Sequence, residues 1–176
     1  MDIKFSLTLN DYIDFNLYHM KHSKSMKRDF IILKYIVPVI LLICSFILYH
    51  LSGSGDNIRV YFYIVFGTAI YMVIFPRIYV NQIRKGIIKI VNEGNTEDLF
   101  GEQTISLKEN YLENNTVGGC EQVKYDSIKR VEVNKQHVYI YKNAIEAFII
   151  PISAFSSQEE KDKFMKILKE KTKSIN

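Results

Sequence analysis

The chain is 176 residues long, 48% hydrophobic yet 24% charged, with a formal net charge of +4 at pH 7. The charges gather on the flanks of two apolar stretches and in the C-terminal half, so neither a wholly soluble nor a wholly intramembrane protein fits. With only two cysteines a disulfide framework is excluded, and with the positive excess spent beside the apolar stretches no basic stripe is left for nucleic acid.

In chain order, Ile3, Phe5, Leu7 and Leu9 alternate with polar residues as a strand does. This alternation lacks the basic-then-apolar order of a signal peptide, so the first span should act as an uncleaved anchor. Tyr12, Ile13, Phe15, Leu17 and Tyr18 then read as helix, and residues 1–29 make a first segment ending in a basic cluster of Lys21, Lys24, Lys27 and Arg28. A lone strand is not stable. The C-terminal sheet described below is the surface on the same side that could cover it.

Residues 30–91 read as a helical hairpin. Tyr35 to Leu51 and Val60 to Pro76 are uncharged and flank the short polar turn Ser52 to Asn57. With Ile31 to Lys34 and Ile78 to Val80 as membrane-proximal turns, each reaches the ~17–20 residues that a helix needs to cross a bilayer. Cations before the first stretch and Arg77, Arg84, Lys85 and Lys89 after the second predict a multi-pass cell-membrane protein with both termini cytoplasmic and the 52–59 turn outside. Lys34 and Arg77 are placed to snorkel, and Tyr35, Tyr49, Tyr61, Tyr63 and Tyr79 to form interfacial belts. Ile83, Ile87, Ile90 and Val91 share a face opposite Lys85 and Lys89, extending the second helix along the inner leaflet.

Residues 100–173 suffice for one small domain. Short alternating runs follow one another: Thr104 to Leu107, a turn at Lys108-Glu109-Asn110, then Tyr111 to Glu113. A wide turn through Asn114-Asn115 and Gly118-Gly119 leads to Gln122 to Tyr125, Ile128 to Val133, His137 to Tyr141 and Ala147 to Ile150. The connections are too brief for crossover helices, so the strands should form an antiparallel meander. Ser156 with Glu159 three residues on predicts a capped helix whose stripe of Phe164, Ile167 and Leu168 closes the sheet. Its lysines read as a solvated face.

Candidate chemistry is sparse. His19, His22, His50 and His137 have no Glu or Cys at a ligating interval, and Cys44 and Cys120 are poorly placed to pair. Gly53-Ser54-Gly55 falls in the outer turn, and Gly118-Gly119 lacks the following Lys and helix of a phosphate-binding loop. Glu97-Asp98 reads as linker and Glu159-Glu160 as a helix start. No catalytic, metal or cofactor-binding residue is assigned, the chain is not read as an enzyme, no small-molecule substrate is evident, and the binding residues are left unknown.

The order of parts then carries a resemblance. Leu7-Thr8-Leu9-Asn10-Asp11-Tyr12, Tyr18-His19-Met20-Lys21-His22-Ser23, two spans, Tyr125-Asp126-Ser127-Ile128, and Phe148-Ile149-Ile150-Pro151-Ile152-Ser153-Ala154-Phe155-Ser156-Ser157 before a Lys-rich helix resemble the YcxB-like family of small bacterial membrane proteins. The resemblance implies a cytoplasmic pleckstrin-homology-like antiparallel sheet or barrel capped by a C-terminal helix, and supplies no activity. The loop Lys108-Glu109-Asn110 lacks the cation cluster of pleckstrin-type lipid sites. The expectation is therefore a membrane hairpin carrying an α+β binding module for a protein partner or a second copy. The alternative is a membrane-protection protein, such as immunity to a membrane-active peptide, in which the hairpin and outer turn act. Deleting the C-terminal domain separates the two.

Overall fold

A computed structural model describes residues 1–51, 58–94 and 99–172. The chain forms two compact units, Met1–Asn16 with Ile87–Asn176, and Leu17–Gly86. The expected segment 1–29 is thus divided: its first sixteen residues belong with the C-terminal half.

The reason is strand pairing. β1 (Asp2–Leu7) lies antiparallel to β2 (Gly101–Leu107), from Asp2 opposite Ser106 to Leu7 opposite Gly101. β3 (Tyr111–Thr116) and β4 (Gly119–Lys124) complete a four-stranded sheet in the order β1-β2-β3-β4. β5 (Arg130–Val133), β6 (His137–Tyr141) and β7 (Ala147–Pro151) form a second, three-stranded antiparallel sheet. Within each sheet the neighbouring strands are consecutive in the chain, and the short connections among β2, β3 and β4 and among β5, β6 and β7 require antiparallel pairing.

Ile3, Ile105, Leu107 and Leu112 on the first sheet meet Val138, Ile140, Phe148 and Ile150 on the second, and this core is closed by Phe164 and Leu168 of the last helix, α5 (Gln158–Lys171). Each such side chain contributes roughly 1.5–3 kcal/mol when fully buried. Every residue of β6 is buried, because its other face is covered too. There α1 (Leu9–His22) lays Phe15 against Tyr139 and Tyr141, with ring centroids 5.3 and 5.9 Å apart.

Three local expectations are corrected. Asn114 and Asn115 are strand residues of β3 opposite Glu121 and Cys120, and the turn is confined to Val117-Gly118, with Gly119 at φ +148° opening β4. Asn114 stays extended because its side chain finds a partner in Gln103 across the sheet. The cap of α5 is Ser157, whose hydroxyl accepts from Glu160 N–H, while the Glu160 carboxylate turns back to Ser156 N–H and Oγ; the capping arrangement is one residue later than the spacing of Ser156 and Glu159 suggests. Finally β5 starts at Arg130, since Ile128, 1% exposed, is held in the core behind the 3₁₀ turn Tyr125–Ser127.

In the second unit, α2 (Lys24–Ile31), a π-turn (Ile32–Ile36) and α3 (Val37–Leu51) run on as one helical segment. The π-turn directly precedes Pro38, whose ring removes a donor and crowds the preceding carbonyls, so widening the turn relieves the clash. α4 (Ile58–Glu93) is continuous through Pro76. The segments Lys24–Leu51 and Ile58–Glu93 are each long and apolar enough to cross a membrane. Their apolar side chains point outward, Leu41 at 59% and Phe66 at 68% exposure among them. Aromatic pairs join the two helices at both ends: Tyr49 with Tyr61, and Phe30 with Phe75 and Tyr79. Tyr71 Oη also donates to the Leu33 carbonyl at 3.1 Å.

Candidate functional site

The helix on the outer face of the second sheet is pinned by a polar chain that begins at its cap. Thr8 N–H and Oγ–H both donate to Asp11 Oδ2, at 2.9 and 2.6 Å, and Asp11 N–H returns a bond to Thr8 Oγ. This reciprocal box leaves Asp11 Oδ1 free to accept from His137 Nε2 at 2.7 Å. His137, 3% exposed, has Tyr139 Oη at 3.3 Å from its other nitrogen, and Asn134 Nδ2 donates to Tyr139 Oη at 3.2 Å. One ring nitrogen thus faces the carboxylate and the other the Tyr139 hydroxyl. Burial pushes the Asp11 carboxyl up, but hydrogen bonds from His137 and Thr8 outweigh it and hold the group below its ordinary value. This polar chain links Thr8, Asp11, His137, Tyr139 and Asn134 in succession. Chemically it is a clamp that fixes the start of α1 on the sheet.

Sequence reasoning passed over this pair because its members are 126 residues apart. A signal was present nonetheless: Thr8 with Asp11 three residues on is a capping-box spacing.

A second feature lies where the sheets part. A groove of about 380 Å³ runs between β4 and β7, lined by Leu7, Gln103, Asn114, Glu121, Lys142 and Phe148 among others. The inner face of the first sheet passes from apolar (Ile105, Leu112) to polar (Gln103, Asn114) as it enters this groove. Gln103 Nε2 is taken by the Leu99 carbonyl at 2.9 Å, and its Oε1 lies 3.4 Å from Asn114 Nδ2. Asn114 is only 7% exposed, yet its Oδ1 has no hydrogen-bond partner. A buried acceptor in that state costs roughly 1–3 kcal/mol. At the rim Lys142 Nζ binds both carboxylate oxygens of Glu121, at 2.8 and 3.0 Å, and lies over the Phe148 ring. β4 is the edge of its sheet, and five of its six residues are exposed.

The remaining candidates from the sequence are scattered. His22 is bonded to the Tyr18 carbonyl and stacked on the Tyr18 ring. Cys44 and Cys120 are both free, and among the described residues no three His, Cys, Asp or Glu side chains gather as metal ligands. Lys34 lies over the rings of Phe30 and Tyr35. In the Lys108–Asn110 loop, Lys108 pairs with Glu113, and Lys171 of α5 donates to the Lys108 and Glu109 carbonyls. Glu97-Asp98 and the turn Ser52 to Asn57 lie outside the described residues.

Residues 107–168 match the family model described as YcxB-like protein, so the segment from the end of β2 into α5 is YcxB-like. No curated protein and no solved structure matches the chain.

Proposed function

We propose, starting from that YcxB-like segment, that the chain is an integral membrane protein whose helical hairpin tethers a pleckstrin-like binding module at the inner face of the cell membrane. The outward-facing apolar side chains along both long helices support insertion, since the same residues in a soluble core would be covered. Four plus three antiparallel strands closed by a C-terminal helix support the pleckstrin-like reading of the module. Its role is docking, of a protein partner or of a second copy.

The observation that carries docking is the open edge of β4 beside a groove in which Asn114 Oδ1 waits for a donor. An extended segment laid along β4 would satisfy unpaired backbone groups, as strand addition does elsewhere, and could offer a donor to Asn114. A photoreactive side chain in place of Gln122, in the full chain in native membranes, tests this. One discrete adduct is expected, either at twice the chain's mass or with a second protein. If Gln122 yields no more adduct than the same probe in place of Glu170 on exposed α5, the edge is not a docking surface.

A further inference from the structure

We infer that two exposed apolar loop tips, Val117 and Ile145, seat the sheet unit on the bilayer by entering the interface of the leaflet. Within this unit the apolar core is closed by α5 and α1, yet Val117 is 78% and Ile145 67% exposed. Val117 lies in the turn between β3 and β4, and Ile145 in the connection from β6 to β7.

Both tips stand at one end of the unit. Residues in or bordering three connections line the same groove: Leu7, the last of β1, and Leu99, just before β2; Gly118 of the β3–β4 turn and Gly119, the first of β4; Lys142, just after β6, and Ala147, the first of β7. The Lys142–Glu121 pair ties the second and third together. This is also the end at which the chain returns from α4 to β2, since Gly101 pairs with Leu7 there. Between Glu93, the last residue of α4, and Gly101, the first of β2, lie only residues 94–100. Fully extended, such a tether spans less than about 30 Å. Covalent continuity therefore holds Gly101, at this end, within that length of Glu93.

The chemistry favours the acyl boundary over a phosphate headgroup. Lys142 is the one cation of the groove's described lining, and Glu121 already neutralises it. What remains to meet the membrane is branched aliphatic, which gains from leaving water. Attachment by these tips should accordingly be insensitive to salt, unlike a polybasic contact.

The inference rests on the membrane reading of the hairpin, and the test separates the two. The chain contains no tryptophan, so each Trp variant carries a single reporter. Val117→Trp and Ile145→Trp, in the full chain reconstituted into phosphatidylcholine vesicles with acyl chains brominated near the headgroup, should lose fluorescence to the quencher. Val133→Trp, at the opposite end beside the β5–β6 turn, should not, and Phe66→Trp in the second long helix should. If the tips quench no more than Val133→Trp while Phe66→Trp is quenched, the tips do not touch lipid and the inference fails alone. Blue-shifted but unquenched emission at the tips would mean that protein covers them, which also overturns it. An unquenched Phe66→Trp would overturn the membrane reading and this inference together.

Discussion

His137 Nε2 donates to Asp11 Oδ1 at 2.7 Å, joining the second strand of one sheet to the first turn of a helix that begins immediately after β1. The contact makes the first part of the N-terminal helix, Leu9 to Asn16, part of the sheet unit. Phe15, one turn further along, carries the same interface into apolar packing on Tyr139 and Tyr141.

Removing one member of this pair should therefore cost more than removing an exposed ion pair. In Asp11→Ala the buried imidazole loses its acceptor and α1 loses its cap, for which we expect about 2–3 kcal/mol of destabilisation. Thr8→Val, which removes only the hydroxyl, should cost about 1 kcal/mol. Urea unfolding in detergent, followed on the sheet unit, measures both. The acid side has a defined sign. Asp11 is held below its ordinary value of 3.8, so the unfolded chain binds the proton more readily, and the stabilisation is present above that value and lost as pH falls through the lower folded one. Wild type should lose stability more steeply than Asp11→Asn below pH 3.8.

On the alkaline side Tyr125 makes a defined contribution. Burial pushes its hydroxyl up from 10.0 to about 12, and the hydroxyl donates to the Lys108 carbonyl at 2.8 Å. Here the folded state holds its proton more tightly, so the contribution is complete below pH 10.0 and disappears as pH rises towards about 12. Tyr125→Phe should be less stable at neutral pH yet show a shallower decline across that window in a pH titration of unfolding.

β1 supplies a third prediction. Ile3, 2% exposed opposite Ile105, is the most deeply buried residue of the strand. Ile3→Asp, Phe5→Asp or removal of Met1 to Leu7 should expose the β2 edge and open the core. Ile3→Ala alone should cost about 2–4 kcal/mol. Limited proteolysis of residues 101–171 in membranes reads the effect, and unchanged protection would show that the sheet stands without β1.

Asn114 should respond far less than Ile3. Its Oδ1 is buried without a partner while its Nδ2 donates to Gln103 Oε1 at 3.4 Å, so Asn114→Val relieves one unpaired acceptor and creates another, and stability should change by no more than about 1 kcal/mol in either direction. The same variant should weaken capture at Gln122, since the groove would lose its waiting acceptor. A variant both destabilised and fully competent in cross-linking would count against the site.

What the sequence made legible was whatever rests on period and length. The two long helices, the run of short antiparallel strands and the Phe164–Leu168 stripe all follow from local spacing. Pairings made across the chain left weaker traces. Ile3, Phe5 and Leu7 announced a strand needing cover, but not that β2 would be its neighbour. Asn114-Asn115 looked like a turn because local propensity favours one; the Gln103 side chain across the sheet overrides it. His137 looked isolated because its partner sits in another element 126 residues away, and no periodicity spans such a separation.

The orientation of the hairpin is the prediction on which the wider reading most depends. Lys21 precedes the first long helical segment and Lys24, Lys27 and Arg28 lie in its first turns, and Arg77, Arg84, Lys85 and Lys89 fall in the last part of the second, whereas between Leu51 and Val60 only Asp56 and Arg59 are charged. Cations retained on the cytoplasmic side fix topology, and each one near an anionic leaflet adds roughly 1 kcal/mol. In a background with Cys44 and Cys120 replaced, a single cysteine in place of Ser54 should react with an impermeant thiol reagent in whole cells, and one in place of Ser157 should react only after lysis. Changing Arg84, Lys85 and Lys89 together to Glu should reduce or reverse labelling at position 54. Outside labelling at position 157 in the unmodified charge background would place the sheet unit, its groove and its apolar tips on the other face of the membrane.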